Sequence, residues 1–244
     1  MKLIRTGMAI LLAMLLMISV AITEEGTEPL PENTEPQAPA YELPKGFVYV
    51  HDVIDDVILE IRYASDHNFT GHVVPGYEGN FAIMTEESAA LLKEAADEFR
   101  SMGYRIKIYD AYRPRSAVKY FVTWATKDPD MSMQAEFYPD FKNKTLMVDQ
   151  GYIARNSPHS KGSTLDMTLC DMDGNELDMG SCFDFFGKIS WHGAKGITAE
   201  QTANRELLRS VMVKHGFKAF EQEWWHYRMI NQPYPDTYFD FPVK

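Results

Sequence analysis

Two short stretches of the sequence carry side chains suited to holding a metal ion and using it for hydrolysis. In Ser157–Leu169, His159 and Asp166 stand on either side of a glycine and lead into an apolar run; farther on, Glu223 and His226 enclose two tryptophans. A catalytic zinc site needs three protein ligands, an open position for water and a base beside it. The sequence therefore predicts one zinc ion per chain, held by His159, Asp166 and His226.

Each ligand also has an ordinary structural explanation. A single histidine in a core strand usually has its hydrogen bonds satisfied within the protein, and His159 alone fits that description. Asp166 heads an apolar strand, where an unpaired carboxylate would be costly to bury. His226 is flanked by aromatic residues that would exclude water and strengthen a local charge. Together the three residues favour a metal site over three unrelated core positions.

The direction of the Glu223 side chain depends on the local fold. Residues three apart share a face on a helix but point to opposite sides of a regular strand. The aromatic neighbours favour a strand, so we expect Glu223 at the mouth of the strand or on a bulge. From there it would take a proton from water and pass it to the leaving amine. Bound zinc would lower the pKa of its water to roughly 7 and polarise the scissile carbonyl.

Arg113 is the remaining candidate for catalysis. It lies between a predicted strand, Arg105–Tyr109, and a predicted helix, Ala117–Thr126, with Pro114 suited to the first helical turn. A cationic side chain at such a junction can reach into a cleft and stabilise an oxyanion, a contribution of roughly 3 kcal/mol for one donor in comparable sites. The alternative is a surface arginine beside a proline.

The elements that must position these residues are strands and helices in mixed order. Partial alternation and runs of apolar, β-branched and aromatic residues predict the strands Phe47–Val50, Val57–Tyr63, Arg105–Tyr109, Thr164–Leu169, Phe217–Phe220 and Glu223–Met229. The turn signal Asp173-Gly174-Asn175 predicts a hairpin that returns through Glu176–Met179. Helices are predicted from Thr85 to about Ser101, over Ala117–Thr126 and from Thr198 to about Lys214, the last with a Thr198–Gln201 capping box. The polar segment Lys127–Gln150 is predicted to lack regular secondary structure and to form a flap. The Asp-rich run Asp171–Asp178 does not match an EF-hand calcium loop. Its glycine is not at the position that such a loop requires, and no acidic residue occupies the closing position.

The N-terminal residues differ in composition from the rest. Residues 1–23 combine Lys2 and Arg5 with an apolar run and a small-residue cleavage site, which predicts a signal peptide and export. An uncleaved membrane anchor is the alternative, although the apolar run is short for a bilayer span. Residues 24–44 hold six Glu, five Pro and no basic residue, and predict a linker before a domain at 45–244.

Charge and cysteine content limit the possible partners and bonds. The chain has a net charge of −11, which becomes −13 without Lys2 and Arg5 because residues 1–23 contain no acid. Nucleic-acid binding requires a basic surface, so nucleic acid is not an expected partner of so acidic a chain.

The sequence contains two cysteines, Cys170 and Cys182. They are predicted to form a disulfide, which export would permit, or to be two inert buried thiols.

Several separated motifs, taken in order, resemble one known family. Ser157-x-His159-x-x-Gly162-x-Thr164-x-Asp166 and the later Glu223-Trp-Trp-His226 resemble the two motifs of the zinc D-alanyl-D-alanine metallopeptidases, and look most like the VanX-type D-alanyl-D-alanine dipeptidases of vancomycin resistance. The resemblance extends over roughly Asp52–Lys244 and includes Tyr63–Gly71, Tyr112-Arg113-Pro114, Met179–Asp184 and the terminus Tyr238–Lys244. Thr164 replaces the usual Ala and Ala111 the usual Gly, and neither position is a ligand.

The resemblance implies a fold and a set of roles. The fold would be α+β, with helices packed on a small antiparallel sheet that carries the zinc. His159, Asp166 and His226 would be ligands, Glu223 the base and Arg113 the transition-state residue. Tyr63, Ser157 and Asp184 match positions that hold the ends of the dipeptide, and Asp184 suits its free ammonium.

Two other functions remain open from the sequence. A D,D-carboxypeptidase acting on peptidoglycan stem peptides would use the same metal but leave the amine side of the site open. A non-catalytic wall-binding module would keep a structural zinc, yet it would need neither Glu223 nor Arg113. The family's resistance enzymes act in the cytoplasm, whereas an exported relative would meet dipeptide from wall turnover, or the stem peptides themselves.

Overall fold

The structure is a computed structural model that describes residues 41–244. Seven strands are Phe47–Tyr49 (β1), Ile58–Leu59 (β2), Ile83–Thr85 (β3), Tyr104–Asp110 (β4), Thr164–Asp171 (β5), Phe217–Phe220 (β6) and Glu223–Met229 (β7). Five α-helices are Glu86–Ser101 (α1), Arg115–Lys127 (α2), Gln134–Phe137 (α3), Thr145–Asp149 (α4) and Ala199–Lys214 (α5).

A five-stranded sheet in the order β2-β4-β5-β7-β6 carries the predicted ligands. All its strand pairs are antiparallel except β2–β4, which is parallel and two residues long. Because successive side chains of a strand point to opposite faces, paired apolar residues such as Ile108 and Met167 share one face, whereas Asp166 and its partner His226 share the other. The small antiparallel sheet of the predicted α+β fold is therefore present.

Two long helices contact this sheet and each other. Helix α1 packs against β4, and α5 packs against β6. The Thr198–Gln201 capping box is formed as predicted, with both reciprocal hydrogen bonds at the start of α5. Thr85 also precedes its helix as predicted, but its hydroxyl contacts Ser88 and Ser163 instead of capping the backbone.

Three predicted elements differ from the structure. The strand predicted at Val57–Tyr63 is only Ile58–Leu59, after which Arg62–Ala64 forms a 3-10 turn that buries Tyr63. The hairpin return at Glu176–Met179 is a single bridge from Cys170 to Glu176. The Lys127–Gln150 segment is not irregular as predicted, because it forms α3 and α4 and buries Phe137, Tyr138 and Met147 in the core.

The predicted signal peptide and most of the predicted linker lie outside the described residues. Of the linker's last four residues, which are described, Leu43 packs against the core. Among residues 41–244, no helix is both long and apolar enough to span a bilayer. Both cysteines are free, with Cys170 buried and Cys182 exposed, so neither the disulfide nor the pair of buried thiols is found.

Candidate metal centre and active site

The three predicted ligands meet at one point on the sheet. His159 lies in a 3-10 turn, Pro158–Lys161, that leads into β5; Asp166 is on β5, and His226 is its cross-strand partner on β7. The Nε2 atom of His159 lies 3.3 Å from an Asp166 carboxylate oxygen, and the Nδ1 atom of His226 lies 3.0 Å from the other. All three ligand atoms fall within 4.8 Å of one another.

The protonation of these residues suits a divalent metal. The Nδ1 atom of His159 lies 2.7 Å from the Ala111 carbonyl, which can only accept, so Nδ1 carries the proton and Nε2 keeps a lone pair facing the centre. Burial opposes ionisation of Asp166, but the two imidazoles outweigh it and lower the pKa of that carboxyl. Two imidazole nitrogens and one carboxylate form a donor set that zinc prefers in catalytic sites. The residues present therefore fit the predicted ion.

Glu223 reaches the same centre because the strand pairing is irregular. It is the first residue of β7, and the register between β6 and β7 shifts between Ala219 and Phe220, so that Phe220 pairs with Glu223. This irregularity brings a Glu223 oxygen to 3.6 Å from Nδ1 of His226. Burial raises the pKa of Glu223 to about 7. Glu223 therefore lies at the mouth of the strand, one of the two expected positions, where the pairing is irregular.

Arg113 lies beside the metal centre, and the buried carboxylate of Asp110 accepts a hydrogen bond from its guanidinium. Its Nε donates to Asp110 over 2.8 Å and its Nη2 to Asp166 over 3.4 Å. The guanidinium also lies over the Tyr63 ring, 5.0 Å from its centroid. It is not a surface arginine, since its side chain is 13% exposed.

Asp110 is a site residue to which sequence reasoning gave no role. It is fully buried, accepts a hydrogen bond from the Tyr77 hydroxyl over 2.7 Å, and lies 3.5 Å from Nδ1 of His159. It therefore orients Arg113 and places a negative charge beside a predicted ligand. The sequence feature that could have indicated this role is a carboxylate at the end of a buried strand, three residues before Arg113.

The three predicted substrate-binding residues line the same cavity as the ligands. The Tyr63 hydroxyl donates to Asp184 over 2.7 Å, and burial raises the pKa of the Asp184 carboxyl well above its usual range. Asp184 is also the one described non-glycine residue with a positive φ, +60°. Ser157 is buried, and its hydroxyl accepts from the His159 backbone over 3.3 Å.

The cavity has a volume of about 410 Å³ and is partly open to solvent. Its far wall is apolar, formed by side chains of α2 and neighbouring loops such as Phe69, Phe121 and Phe186. A small polar molecule could therefore lie over the ligand cluster with aromatic residues around it.

Comparison with known proteins gives a consistent result. The sequence profile of a family described as D-ala-D-ala dipeptidase matches residues 44–244. A D-alanyl-D-alanine dipeptidase of Enterococcus faecalis is 42% identical over 200 residues, which is 82% of this chain and 98% of that protein. One from Enterococcus faecium gives the same values, and one from Streptomyces coelicolor is 37% identical over 198 residues, 81% of this chain and 98% of that protein.

These alignments cover nearly the whole of each relative, so the likeness is not confined to the short motifs around the metal ligands. The family profile also spans every residue that lines the candidate centre. The chain belongs to the D-ala-D-ala dipeptidase family.

Proposed function

We propose that this protein is a zinc-dependent peptidase that hydrolyses the dipeptide D-Ala-D-Ala. One observation carries the proposal beyond the family: a buried carboxylate, Asp184, faces the same cavity as the cluster of His159, Asp166 and His226. The names of the relatives in Enterococcus and Streptomyces support the same substrate.

The residues that would hold one zinc ion are His159, Asp166 and His226. When bound there, zinc would supply a Lewis acid for the scissile carbonyl and an activated water at neutral pH. The chain contributes the lone pair of His159 Nε2, fixed by the Ala111 carbonyl, and an ionised Asp166.

Glu223 moves the proton in this proposal. With its pKa raised to about 7 by burial, its carboxylate can take a proton from the attacking water and still release it to the leaving amine. Arg113 lies beside the ligand cluster, with Nη2 3.4 Å from Asp166, and its charge can stabilise the negative charge that develops on the carbonyl oxygen.

Asp184 and Tyr63 hold the amine end of the substrate. A buried carboxylate is costly unless a cation pairs with it, and the α-ammonium of a dipeptide would supply that cation. Ser157 lies at the edge of the ligand turn, where it can contact the dipeptide backbone. A carboxypeptidase that trims long stem peptides would instead need an open path past Asp184.

The decisive comparison is between two substrates of the purified full chain. We expect D-alanine release from free D-Ala-D-Ala to be much faster than from a pentapeptide ending in D-Ala-D-Ala. Faster release from the pentapeptide would replace the dipeptidase with the D,D-carboxypeptidase. No release from either substrate would favour a non-catalytic wall-binding module.

We also propose that the protein is exported from a bacterial cell and acts on dipeptide in cell-wall turnover or glycopeptide resistance. The support is the composition of residues 1–44, with a basic start, an apolar run and an acidic Pro-rich linker. Cell fractionation should place the protein outside the cytoplasm, and N-terminal sequencing would separate a cleaved signal from a retained anchor. Recovery in the cytoplasm would contradict export.

A further inference from the structure

Arg205 of α5 is a buried cation that does not line the cavity, and it is only 2% exposed. Its guanidinium donates to the backbone carbonyls of Met179, Ile189 and Trp191 over 2.6, 2.8 and 3.0 Å, and to the Ser181 hydroxyl over 3.4 Å. Burial lowers the pKa of Arg205 to about 10, which leaves the side chain charged at neutral pH. All four acceptors are neutral oxygens, so these hydrogen bonds fix the position of chain segments and do not form an ion pair.

The four acceptors lie at the two ends of one loop, residues 179–191, which we call the Asp184 loop. Two of them are among its first three residues and two among its last three. Between these ends, Asp184 and Phe186 line the cavity. A single guanidinium outside the cavity therefore ties together the ends of the loop that carries the proposed amine-binding carboxylate.

The Asp184 loop holds its central residue in an uncommon backbone conformation. Asp184 has a φ of +60°, in the left-handed region that residues other than glycine seldom adopt. Such a residue persists only where the surrounding contacts fix it. The Tyr63 hydroxyl fixes the Asp184 side chain over 2.7 Å, and the hydrogen bonds of Arg205 at the two loop ends constrain the backbone.

Packing between the sheet and the first part of the Asp184 loop is incomplete. A second cavity, of about 300 Å³, is lined by both, including Tyr109, Thr168 and Trp224 of the sheet and Met179, Ser181, Cys182 and Phe183 of the loop. Because close packing does not fix this part of the loop, its position depends more strongly on hydrogen bonds. Helix α5 supplies two more of them just before the loop, where Asn204 donates to the Asp178 carbonyl over 2.9 Å and Gln201 to the Asp178 carboxylate over 2.8 Å.

A buried cation of this kind is a poor source of stability. Desolvating a charge is costly, and apolar replacements of buried ionic groups can leave the free energy of unfolding unchanged or raise it. The planar fork of an arginine instead offers several donors in fixed directions. We therefore expect Arg205 to contribute to the geometry of the Asp184 loop more than to the stability of the protein.

We infer that Arg205 is a positioning residue for recognition of the substrate's amine, because it holds the Asp184 loop so that the Asp184 carboxylate faces the ammonium. This inference rests on the proposed function. Without Arg205 the loop would populate other conformations, and the contact between Asp184 and the ammonium would be made by only a fraction of the molecules. The contact exists in the bound substrate as well as in the transition state, so its loss raises KM more than it lowers kcat.

The test compares two substrates, D-Ala-D-Ala and its N-acetyl form, for the full-length zinc-loaded protein. Arg205→Met removes the donors but keeps an unbranched side chain, Arg205→Lys keeps the charge without the planar fork, and a double variant combines Arg205→Met with Asp184→Ala. Arg209→Met is the matched control, because Arg209 lies one turn farther along α5 and pairs with Glu221, away from the cavity lining. Zinc content and thermal unfolding are measured for each variant, so that loss of fold is separated from loss of binding.

We expect KM for D-Ala-D-Ala to rise about tenfold in Arg205→Met, the equivalent of about 1.4 kcal/mol, with a smaller change in kcat. The kcat/KM for the N-acetyl form should barely change, because that substrate has no ammonium, so the preference for the free dipeptide should fall by about the same factor. Arg205→Lys should lie between Arg205→Met and the wild type, and Arg209→Met should behave as wild type. Once Asp184→Ala is present, Arg205→Met should lower kcat/KM no further, because Arg205 acts through Asp184.

Three results would overturn the inference while leaving the proposed function intact: a folded Arg205→Met protein with unchanged KM, equal losses for the two substrates, or additive losses in the double variant. If Arg205→Met does not fold, Arg205→Lys decides the question, and an unchanged KM or equal losses for the two substrates in that variant would overturn the inference. Wild-type protein that cleaves neither substrate would remove the proposed function and the inference together.

Discussion

At the scale of single residues, the site concentrates charge that folding alone would not favour. Asp110, Asp166 and Asp184 are buried within one region, and Glu223 adds a fourth carboxylate beside them. Burying a carboxylate is costly unless it is paired or bound to a metal, and Arg113 pairs with two of the four, Asp110 and Asp166. Perturbed ionisable groups in a cavity are typical of catalytic sites.

Glu223→Gln tests the proton transfer. The amide keeps the shape of the side chain but cannot accept a proton, so kcat for D-Ala-D-Ala should fall by roughly 10²–10⁴-fold. Zinc content and thermal unfolding should stay as in the wild type, because Glu223 is not one of the three ligands. Nearly intact turnover would show that Glu223 is structural.

Asp184 can be tested through the substrate as well as the protein. N-acetylation of D-Ala-D-Ala removes the ammonium and adds bulk, so we expect cleavage to fall at least about 100-fold, the equivalent of about 2.7 kcal/mol. Asp184→Ala should reduce this difference in cleavage rate, because cleavage of the free dipeptide should slow more than cleavage of the acetylated one. If wild-type protein turned over both substrates equally, Asp184 would not be the amine site.

At the scale of elements, the turn between His159 and Asp166 depends on one glycine. Gly162 has φ +79°, and a Cβ there would meet the Phe47 ring and lie 3.2 Å from Thr85 Cγ2. The turn therefore sets the entry of β5 and, through it, the spacing of two ligands.

Gly162→Ala should destabilise the protein and weaken zinc binding. The left-handed backbone costs about 1–2 kcal/mol, and the contact with Phe47 adds to this cost. Gly103→Ala is the matched control, because Gly103 has φ +87° but nothing within 4 Å of the added Cβ. Thermal melts and zinc content should be more affected in Gly162→Ala; equal losses in both variants would mean that packing against Phe47 is unimportant.

The sequence predicted the elements that carry a local signal, either a run of apolar and β-branched residues or apolar residues at helical spacing. Strands β6 and β7 have the predicted bounds, and β4, β5 and the long helices differ by a few residues at most. The burial of Tyr138 and Met147 was not predictable, because it depends on contacts with distant elements that leave no local periodicity.

The same limit applies to the site. The predicted ligands are brought together as expected, since their residue types and spacing are specific to metal chemistry. Asp110 was missed because its role comes from tertiary contacts with Tyr77 and His159.

At the scale of the whole molecule, the central strands of the sheet bring together the residues of the proposed reaction. The ligand cluster lies on β5, β7 and the turn before β5, and Glu223 reaches it from the first residue of β7. Helices α1 and α5 support the strands without contributing to the cavity lining. Catalysis in this account depends on the sheet's register more than on any mobile element.

The most direct test of the account is a zinc titration of the metal-stripped full-length protein, with D-alanine release from D-Ala-D-Ala measured at each step. We predict no activity without metal, a linear rise with added zinc, and a plateau at about one zinc per chain, because two imidazoles and one carboxylate form one site. His226→Ala should bind much less zinc and stay inactive. Full activity of the stripped protein, or full zinc retention by His226→Ala, would contradict the account.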